Sequence, residues 1–280
     1  MIERTLISAD ALRTLLARGQ PVVLLDCGFD LTDVHAGARA YAQGHLPGAQ
    51  HADLDRDLST AKSGRNGRHP LPTREAFAAT VARWGVRPDS PVVCYDNQGG
   101  PYAARAWWML RWIGHDTVAV LDGGRAAWLA AGGTLESTPA APGAAEPYPL
   151  SATTMPTVAT DQLLDLLGKV TVLDARAGER FRGEVEPLDP VAGHIPGARN
   201  RFHRDNLQAD GRFRSAAQLR DAFAPFGEPT TCVHQCGSGV TACHNLLAME
   251  HAGLGGARLY AGSWSEWIRD PGRPIATGSY

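Results

Sequence analysis

The sequence contains four landmarks that occur twice, in the same order, once in each half of the chain. The pairs are 22–26 and 170–174, 44–49 and 193–198, 91–96 and 230–235, and 121–128 and 260–267. The members of the first pair are short apolar runs that end at Asp26 and Asp174, as expected of buried parallel strands. Because the order is kept along the whole chain, the sequence predicts two copies of one fold.

The length and one low-complexity segment indicate where the copies separate. A chain of 280 residues is long enough for two domains, each with its own hydrophobic core. The segment 139–149 is rich in proline, alanine and glycine and has no hydrophobic periodicity, which is typical of a linker. We therefore predict a first domain over 1–138, a linker over 139–150 and a second domain over 151–280.

Helical patterns lie between the predicted strands in both halves. They cover 9–18, 74–84, 103–113, 160–167, 216–223 and 242–251. Strands that alternate with helices indicate an α/β fold, in which each domain has a mostly parallel sheet flanked by helices. Ligand sites in such domains lie at the carboxyl ends of the strands.

The composition is that of an ordinary cytoplasmic protein. A formal net charge of −2 gives no reason to expect nucleic acid or an anionic membrane as a partner. The first residues lack the basic and apolar regions of a signal peptide, and no apolar run is long enough to span a membrane. The five cysteines have no disulfide-framework spacing, which favours a reducing compartment.

The segment 231–242 carries the strongest chemical signal. An apolar run ends at Cys236, and a short glycine-rich loop leads at once into a helical pattern. Such a loop points backbone N–H groups inward and the helix adds its positive end, so the thiolate that attacks sulfur is favoured there. We predict that Cys236 is the nucleophile of a sulfur transfer. The groups expected to hold charge are the N–H groups of Gly237, Gly239, Val240 and Thr241 and the Ser238 hydroxyl.

Several of these residues have alternative interpretations. Thr241 is expected either to donate to the sulfur or to cap the following helix. Cys243 either packs beneath the loop or acts as a redox partner, whereas Cys27 and Cys94 lie in apolar runs and are expected to pack as small hydrophobic groups. The spacing Cys232-x-His234-x-Cys236 offers no fourth ligand, so neither a metal site nor a cofactor is predicted.

The duplicated His-[Leu/Ile]-Pro-Gly-Ala element, the Asp-Gly-Gly…Trp element and Cys236-Gly-Ser-Gly-Val-Thr-Ala242 together resemble the tandem rhodanese-domain sulfurtransferases, from about residue 8 to 276. The resemblance implies two tandem rhodanese-like domains. The loop resembles that of the 3-mercaptopyruvate sulfurtransferases in particular, because relatives that prefer thiosulfate tend to carry basic residues directly after the nucleophile.

The same resemblance implies roles for residues outside the loop. Arg180 matches the arginine that binds the substrate carboxylate, a task suited to a planar charged fork, although Leu188 stands where a second substrate arginine is usual. His69 and Asp55 match the pair that relays a proton with the loop serine, here Ser238. In the alternative interpretation, His69 only orients its loop and Asp55 only caps a turn. The repeated His45 and His194 are expected to hold the fold.

The first copy has no cysteine in its corresponding loop. Comparison of the two runs places Asn97 opposite Cys236, and asparagine cannot form a persulfide. We therefore predict that the first domain is non-catalytic and forms the other wall of a substrate cleft.

These observations predict an enzyme that moves a sulfane sulfur from 3-mercaptopyruvate to an acceptor through a persulfide on Cys236. The expected acceptor is a small thiol, cyanide or a thioredoxin-like protein. The main alternative is a thiosulfate:cyanide sulfurtransferase. A phosphatase is disfavoured because Ala242 stands where its phosphate-binding arginine would be needed, and a non-enzymatic module would normally lack the cysteine.

Overall fold

The computed structural model describes residues 4–141, 143 and 147–279. These residues form two compact units. The first comprises the described residues within Met1–Ser59, Pro72–Thr154 and Ala209–Phe213, and the second those within Thr60–Leu71, Met155–Gln208 and Arg214–Tyr280. Each unit thus holds one segment from the other half of the sequence, which simple boundaries at 138 and 151 do not anticipate. The predicted linker lies partly outside the described residues, and the predicted domain boundaries stay a prediction.

The first unit is built on a parallel sheet. Its strands are β1 (Leu6–Ile7), β2 (Val23–Asp26), β3 (Gln50–His51), β4 (Val92–Tyr95) and β5 (Val118–Leu121), in the order β1-β5-β4-β2-β3. Its helices are α1 (Ala9–Ala17), α2 (Ala36–Gln43), α3 (Arg74–Arg83), α4 (Pro101–Trp112) and α5 (Gly124–Ala130). All of its strand pairs are parallel, as predicted.

The second unit repeats this plan. Its strands are β6 (Thr171–Asp174), β7 (Arg199–Asn200), β8 (Cys232–Gln235) and β9 (Arg258–Leu259), paired in parallel in the order β7-β6-β8-β9. Its helices are α6 (Thr160–Leu166), α7 (Gly178–Arg182), α8 (Ala216–Phe223), α9 (Thr241–His251) and α10 (Ser263–Trp267). Short 3₁₀ turns lie at His203–Asn206, Ala224–Phe226 and Pro229–Thr231.

Local chemistry explains where several helices begin. The side chains of Ser8, Thr73 and Ser215 precede α1, α3 and α8, and each accepts a hydrogen bond from the third backbone N–H that follows it. This satisfies a donor that the first helical turn leaves without a partner. These three starts coincide with the helical patterns of the sequence to within a residue.

Each unit has its own apolar core. The core of the first unit includes Leu24, Val93 and Trp128, and that of the second includes Val172, Val233, Tyr260 and Trp264. The alternate strand residues that form these cores come from the apolar runs whose repetition marks the two copies. No helix within the described ranges is long and apolar enough to cross a membrane.

The repeated histidines have equivalent structural contacts in the two units. His45 and His194 are fully buried. Nδ1 of His45 lies 2.7 Å from the carbonyl oxygen of Tyr41, and Nδ1 of His194 lies 2.7 Å from that of Phe181. Each imidazole also stacks on the ring of that same residue, with centroids 3.9 Å apart. These contacts agree with the interpretation that both histidines hold the fold.

Strand pairing shows which residue of the first unit takes the place of Cys236, and it corrects the sequence comparison. Asp26 pairs with Tyr95, whereas Asp174 pairs with Gln235. The next residues are Asp96 and Cys236, so the counterpart of Cys236 is Asp96 and not Asn97. The comparison of apolar runs was one residue out of register, because neighbouring alignments of two such runs match almost equally well.

A buried histidine in the second sheet makes the stability of the protein depend on pH. His234 is fully buried, and burial lowers its pKa to about 3. Its Nε2 atom lies 3.0 Å from the sulfur of Met249. Because an unfolded histidine titrates near 6.5, only the unfolded state takes up this proton between those values, and stability falls as the pH falls through that window.

We expect His234 to remove about 1.4 kcal/mol from the free energy of unfolding between pH 7.5 and 5.5. Urea unfolding at the two pH values measures this loss. The variant His234→Gln should have a smaller pH dependence than the parent protein. An identical dependence in the two proteins would assign the acid sensitivity to other groups.

Candidate functional site

The loop after β8 surrounds the sulfur of Cys236. Cys236 is 2% exposed, and the backbone N–H of Gly239 donates to its Sγ over 3.2 Å. Gly239 has a φ of +78°, and a β-carbon there would lie 2.3 Å from the carbonyl oxygen of Ala261. Both facts require glycine at this position. The loop then enters α9, whose N-terminus adds a positive dipole end near the thiol.

The start of α10 fixes this loop from the other side. The Ser263 hydroxyl accepts from the Cys236 N–H over 3.0 Å and donates to the carbonyl oxygen of Tyr260. The N–H groups of Trp264 and Ser265 donate to the carbonyl oxygens of Cys236 and Gly237. Cys236 is therefore held through its own backbone, which leaves its side chain free of these structural contacts.

Ser263 is a loop-holding residue that the sequence patterns did not predict. It is the single non-glycine residue with positive φ (54°) among those that the structure describes. Its counterpart in the first copy is Gly124, with a φ of 57°. A serine in this conformation costs about 1 kcal/mol or more relative to glycine, and here its hydroxyl accepts from the Cys236 backbone N–H. The exchange of Gly124 for Ser263 between the copies is the signal that would have identified it.

A segment from the first half of the sequence completes the site. Residues 60–71 belong to the second compact unit. The Arg68 N–H donates to the Ser265 hydroxyl over 2.9 Å, and a β-carbon on Gly67 would lie 2.7 Å from the carbonyl oxygen of Gly262. This close approach brings Nδ1 of His69 to 2.8 Å from the Ser238 hydroxyl. His69 and Ser238 are 3% and 4% exposed, so their contact is shielded from solvent.

Two arginines lie against the cysteine loop. A β-carbon on Gly237 would lie 2.9 Å from Nη2 of Arg68 and 3.5 Å from Nη2 of Arg180. The family resemblance predicted a place for Arg180 in the site, whereas Arg68 was not predicted because a polar loop gives no sign of where it packs. The sequence signal that could have indicated Arg68 is that it directly precedes the predicted site residue His69.

Carboxylates pair with both of these arginines. Arg180 forms a bidentate contact with Glu186, at 2.7 Å between Nη2 and Oε1, and its Nη2 lies 3.4 Å from Oδ2 of Asp189. Arg68 donates to Oδ1 of Asp189. Burial raises the pKa of Asp189, and Arg68 acts in the opposite direction. The Asp189 carboxylate thus bridges the two guanidiniums.

A further arginine supports the network from beneath. Arg176 is 3% exposed, pairs with Asp174 at 2.7 Å and lies over the ring of Trp264. Burial lowers its pKa, but Asp174 and Glu186 more than offset this, so its pKa is raised overall. By contrast, Arg182 forms an exposed pair with Glu184. Both arginines therefore form ion pairs.

The loop of the first unit surrounds the carboxyl group of Asp96. Burial raises the pKa of the Asp96 carboxyl, although hydrogen bonds from the loop act in the opposite direction. The groups that donate to it are the backbone N–H groups of Gln98, Gly100, Tyr102 and Ala103. The anion-binding donors of this copy are thus occupied by its own side chain. That the first domain is non-catalytic stays a prediction.

The remaining predicted residues are placed as follows. Asp55 lies in the first unit, in the turn after β3, where its N–H donates to Asp53 over 3.0 Å. Its role in a proton relay stays a prediction. Thr241 is the first residue of α9 and Val240 precedes it at the N-cap, so Thr241 is not the helix cap. Cys243 donates to the carbonyl oxygen of Gly239 over 3.3 Å, which places it beneath the loop.

The alternate residues Cys232, His234 and Cys236 do not form a joint site. Cys232 lies 3.6 Å from the carbonyl oxygen of Glu228, and His234 contacts Met249. Within the described part of the chain, no group of three or more His, Cys, Asp or Glu residues is arranged to hold a metal.

Comparisons with known proteins agree on one family. A family model described as "Rhodanese-like domain" matches residues 8–131 and 159–270. A Pseudomonas aeruginosa protein named as a probable 3-mercaptopyruvate sulfurtransferase is 51% identical over 92% of this chain and 93% of its own length. A Mycobacterium tuberculosis protein, named provisionally as a thiosulfate sulfurtransferase, is 42% identical over 99% of this chain and 98% of its own.

A solved structure is similar to the whole chain. The 3-mercaptopyruvate sulfurtransferase from Leishmania major aligns with a TM-score of 0.84 and 32% identity. The alignment covers 96% of this chain and 76% of the Leishmania chain. The resemblance inferred from the motifs is therefore confirmed, together with the two-copy α/β fold.

Proposed function

This chain belongs to the rhodanese family and is a sulfurtransferase, and we propose that it takes sulfur from 3-mercaptopyruvate through a persulfide on Cys236. One observation carries the proposal. The Cys236 sulfur accepts a loop N–H, and the loop also holds the contact between Ser238 and His69. A shielded thiol, a nearby hydroxyl and an imidazole that can transfer a proton are what this donor requires.

The donor step balances without any further reactant. The Cys236 thiolate attacks the donor sulfur, an S–S bond forms, and the C–S bond breaks with its electron pair going to carbon. The resulting enolate takes a proton and leaves as pyruvate. The Ser238 hydroxyl, 2.8 Å from Nδ1 of His69, is positioned to supply that proton and to recover it through the imidazole.

The acceptor step restores the enzyme. An acceptor thiolate or cyanide attacks the outer sulfur, the S–S bond breaks, and Cys236 leaves as thiolate. We expect small thiols, cyanide and thioredoxin-like dithiols to serve as acceptors. The loop of the first unit supports a persulfide at Cys236. Four of its backbone N–H groups donate to the carboxylate of Asp96, the counterpart of Cys236, so a loop of this kind can stabilise an anionic group at this position.

The arginines support a donor that carries a carboxylate. Arg180 and Arg68 both lie against Gly237, next to the nucleophile. Arg68 therefore supplies the second guanidinium that Leu188 cannot provide. A planar fork matches a carboxylate, and two forks fix the orientation of the attacked sulfur.

Thiosulfate remains the second candidate donor, favoured by the name of the Mycobacterium tuberculosis relative. The purified enzyme should be assayed with each donor and cyanide as acceptor, and kcat/KM compared. A higher value for 3-mercaptopyruvate supports the proposal. A higher value for thiosulfate would establish the alternative.

The proton relay makes a separate prediction. We expect Ser238→Ala and His69→Ala to lower kcat with 3-mercaptopyruvate by about 100-fold, the usual scale of general acid catalysis. Thiosulfate turnover should fall much less, because the sulfite that leaves does not need the proton that the enolate of pyruvate takes. Steady-state kinetics with both donors measure the difference.

A serine in the segment 60–71, which carries His69, provides the control. Ser63 is exposed and bonds the N–H groups of Arg65 and Asn66 within the segment 60–71. Ser63→Ala should leave both reactions close to wild type. Equal losses with the two donors in Ser238→Ala would mean that the hydroxyl only shapes the loop.

A further inference from the structure

The Asp189 carboxylate places a negative charge between the guanidiniums of Arg68 and Arg180. Of the two carboxylates beside them, Asp189 is the one that contacts both guanidiniums. Its side chain is 4% exposed, whereas those of Arg68 and Arg180 are 21% and 17% exposed. The carboxylate therefore lies deeper than the groups that face an incoming donor.

The surrounding ion pairs leave little net charge to attract an anion. The network contains the cations Arg68, Arg176 and Arg180 and the anions Asp174, Glu186 and Asp189. Their formal charges cancel. Glu186 is held by Arg176 and Arg180 together, while Asp189 lies between the two arginines nearest Gly237. Asp189 is thus the fixed negative charge best placed to act on a donor bound by those arginines.

We propose that Asp189 determines which donor charge the site accepts, because its carboxylate between Arg68 and Arg180 disfavours a dianion more than a monoanion. The inference rests on the proposed function. The donor 3-mercaptopyruvate carries one negative charge near neutral pH, whereas thiosulfate carries two. Repulsion from a partly buried carboxylate grows with the charge of the donor, and low exposure weakens its screening by salt.

The test is the ratio of kcat/KM for thiosulfate to kcat/KM for 3-mercaptopyruvate. In Asp189→Asn, which keeps the size and one acceptor oxygen, we expect that ratio to rise roughly tenfold. Asp189→Glu keeps the charge and should keep the ratio within about twofold of wild type. The matched control Glu184→Gln removes an exposed carboxylate of the same loop that pairs with Arg182, and it should not change the ratio.

An unchanged ratio in a folded, active Asp189→Asn would overturn the inference. If kcat/KM also stays near wild type for both donors, the carboxylate has no role in donor binding. If kcat/KM falls equally for both donors, the carboxylate only positions the arginines. Wild-type enzyme that is inactive with both donors would instead contradict the proposed function itself.

A measurement on the wild-type enzyme keeps the test independent of variant folding. Sulfate and acetate are compared as competitive inhibitors of 3-mercaptopyruvate turnover at matched ionic strength. We expect the dianion sulfate to compete no better than the monoanion acetate, despite its greater charge. Clearly stronger competition by sulfate would overturn the inference even if Asp189→Asn did not fold.

Discussion

Replacement of the nucleophile should abolish sulfur transfer: we expect Cys236→Ser to lose about 1,000-fold or more in turnover with either donor. A serine hydroxyl has neither the acidity nor the sulfur nucleophilicity of the thiol. The fold should persist, because the Cys236 backbone N–H would still donate to Ser263 and its carbonyl oxygen would still accept from Trp264. Steady-state kinetics and thermal unfolding measure the two effects separately.

The covalent intermediate gives this prediction a second readout. Mass spectrometry after brief treatment with donor should find one added sulfur atom on the peptide that contains Cys236. Cys243→Ser serves as the matched control, since Cys243 lies in the adjoining helix and contacts Gly239 beneath the loop. It should still carry the sulfur on Cys236. Added sulfur on Cys94 or Cys243 in the wild-type enzyme would contradict the assignment of the nucleophile.

The sequence predicted the parts of this fold that depend on local patterns. The apolar runs that end at Asp26 and Asp174 form β2 and β6, and the six helical patterns correspond to helices within two residues at each end. The short strands β1, β3, β7 and β9 have two residues each, which is too few for a periodic signal. Their formation depends on a neighbouring strand.

The candidate site was predictable where the residues are close in sequence. The glycine loop predicted that Cys236 and Ser238 lie together, because a strand, a small loop and a helix are consecutive there. Arg68 lies far from that loop in sequence, and its position beside Gly237 follows from the packing of Gly67 against Gly262. Such a contact has no local pattern. The place of Asp96 likewise depends on strand pairing, which a comparison of two apolar runs cannot fix to one residue.

Replacement of Arg180 should have the other large effect. We expect Arg180→Ala to lower kcat/KM for 3-mercaptopyruvate by an amount equivalent to about 2–4 kcal/mol, because it removes a charged fork from a partly buried carboxylate contact. The acceptor step should change less, since cyanide and small thiols need no carboxylate site. Single-turnover measurements of persulfide formation and of its discharge separate the two steps.

The change should act on the donor and not on the fold, because Glu186 would keep its partners. After loss of Arg180, Glu186 would still contact Arg176 and accept from the backbone N–H groups of Leu188 and Asp189. Arg182→Ala is the matched control, two residues along α7 and paired with Glu184 at the surface. It should retain activity within about twofold of wild type, as expected for an exposed ion pair.

A lysine at the same position separates charge from geometry. Arg180→Lys keeps one positive charge but loses the planar fork, so it should recover part of the lost rate and not all of it. Full recovery would mean that attraction alone binds the carboxylate. If kcat/KM for Arg180→Ala instead stays within a factor of about two of wild type, the arginine does not contact the donor, and Arg68 becomes the residue that holds its carboxylate.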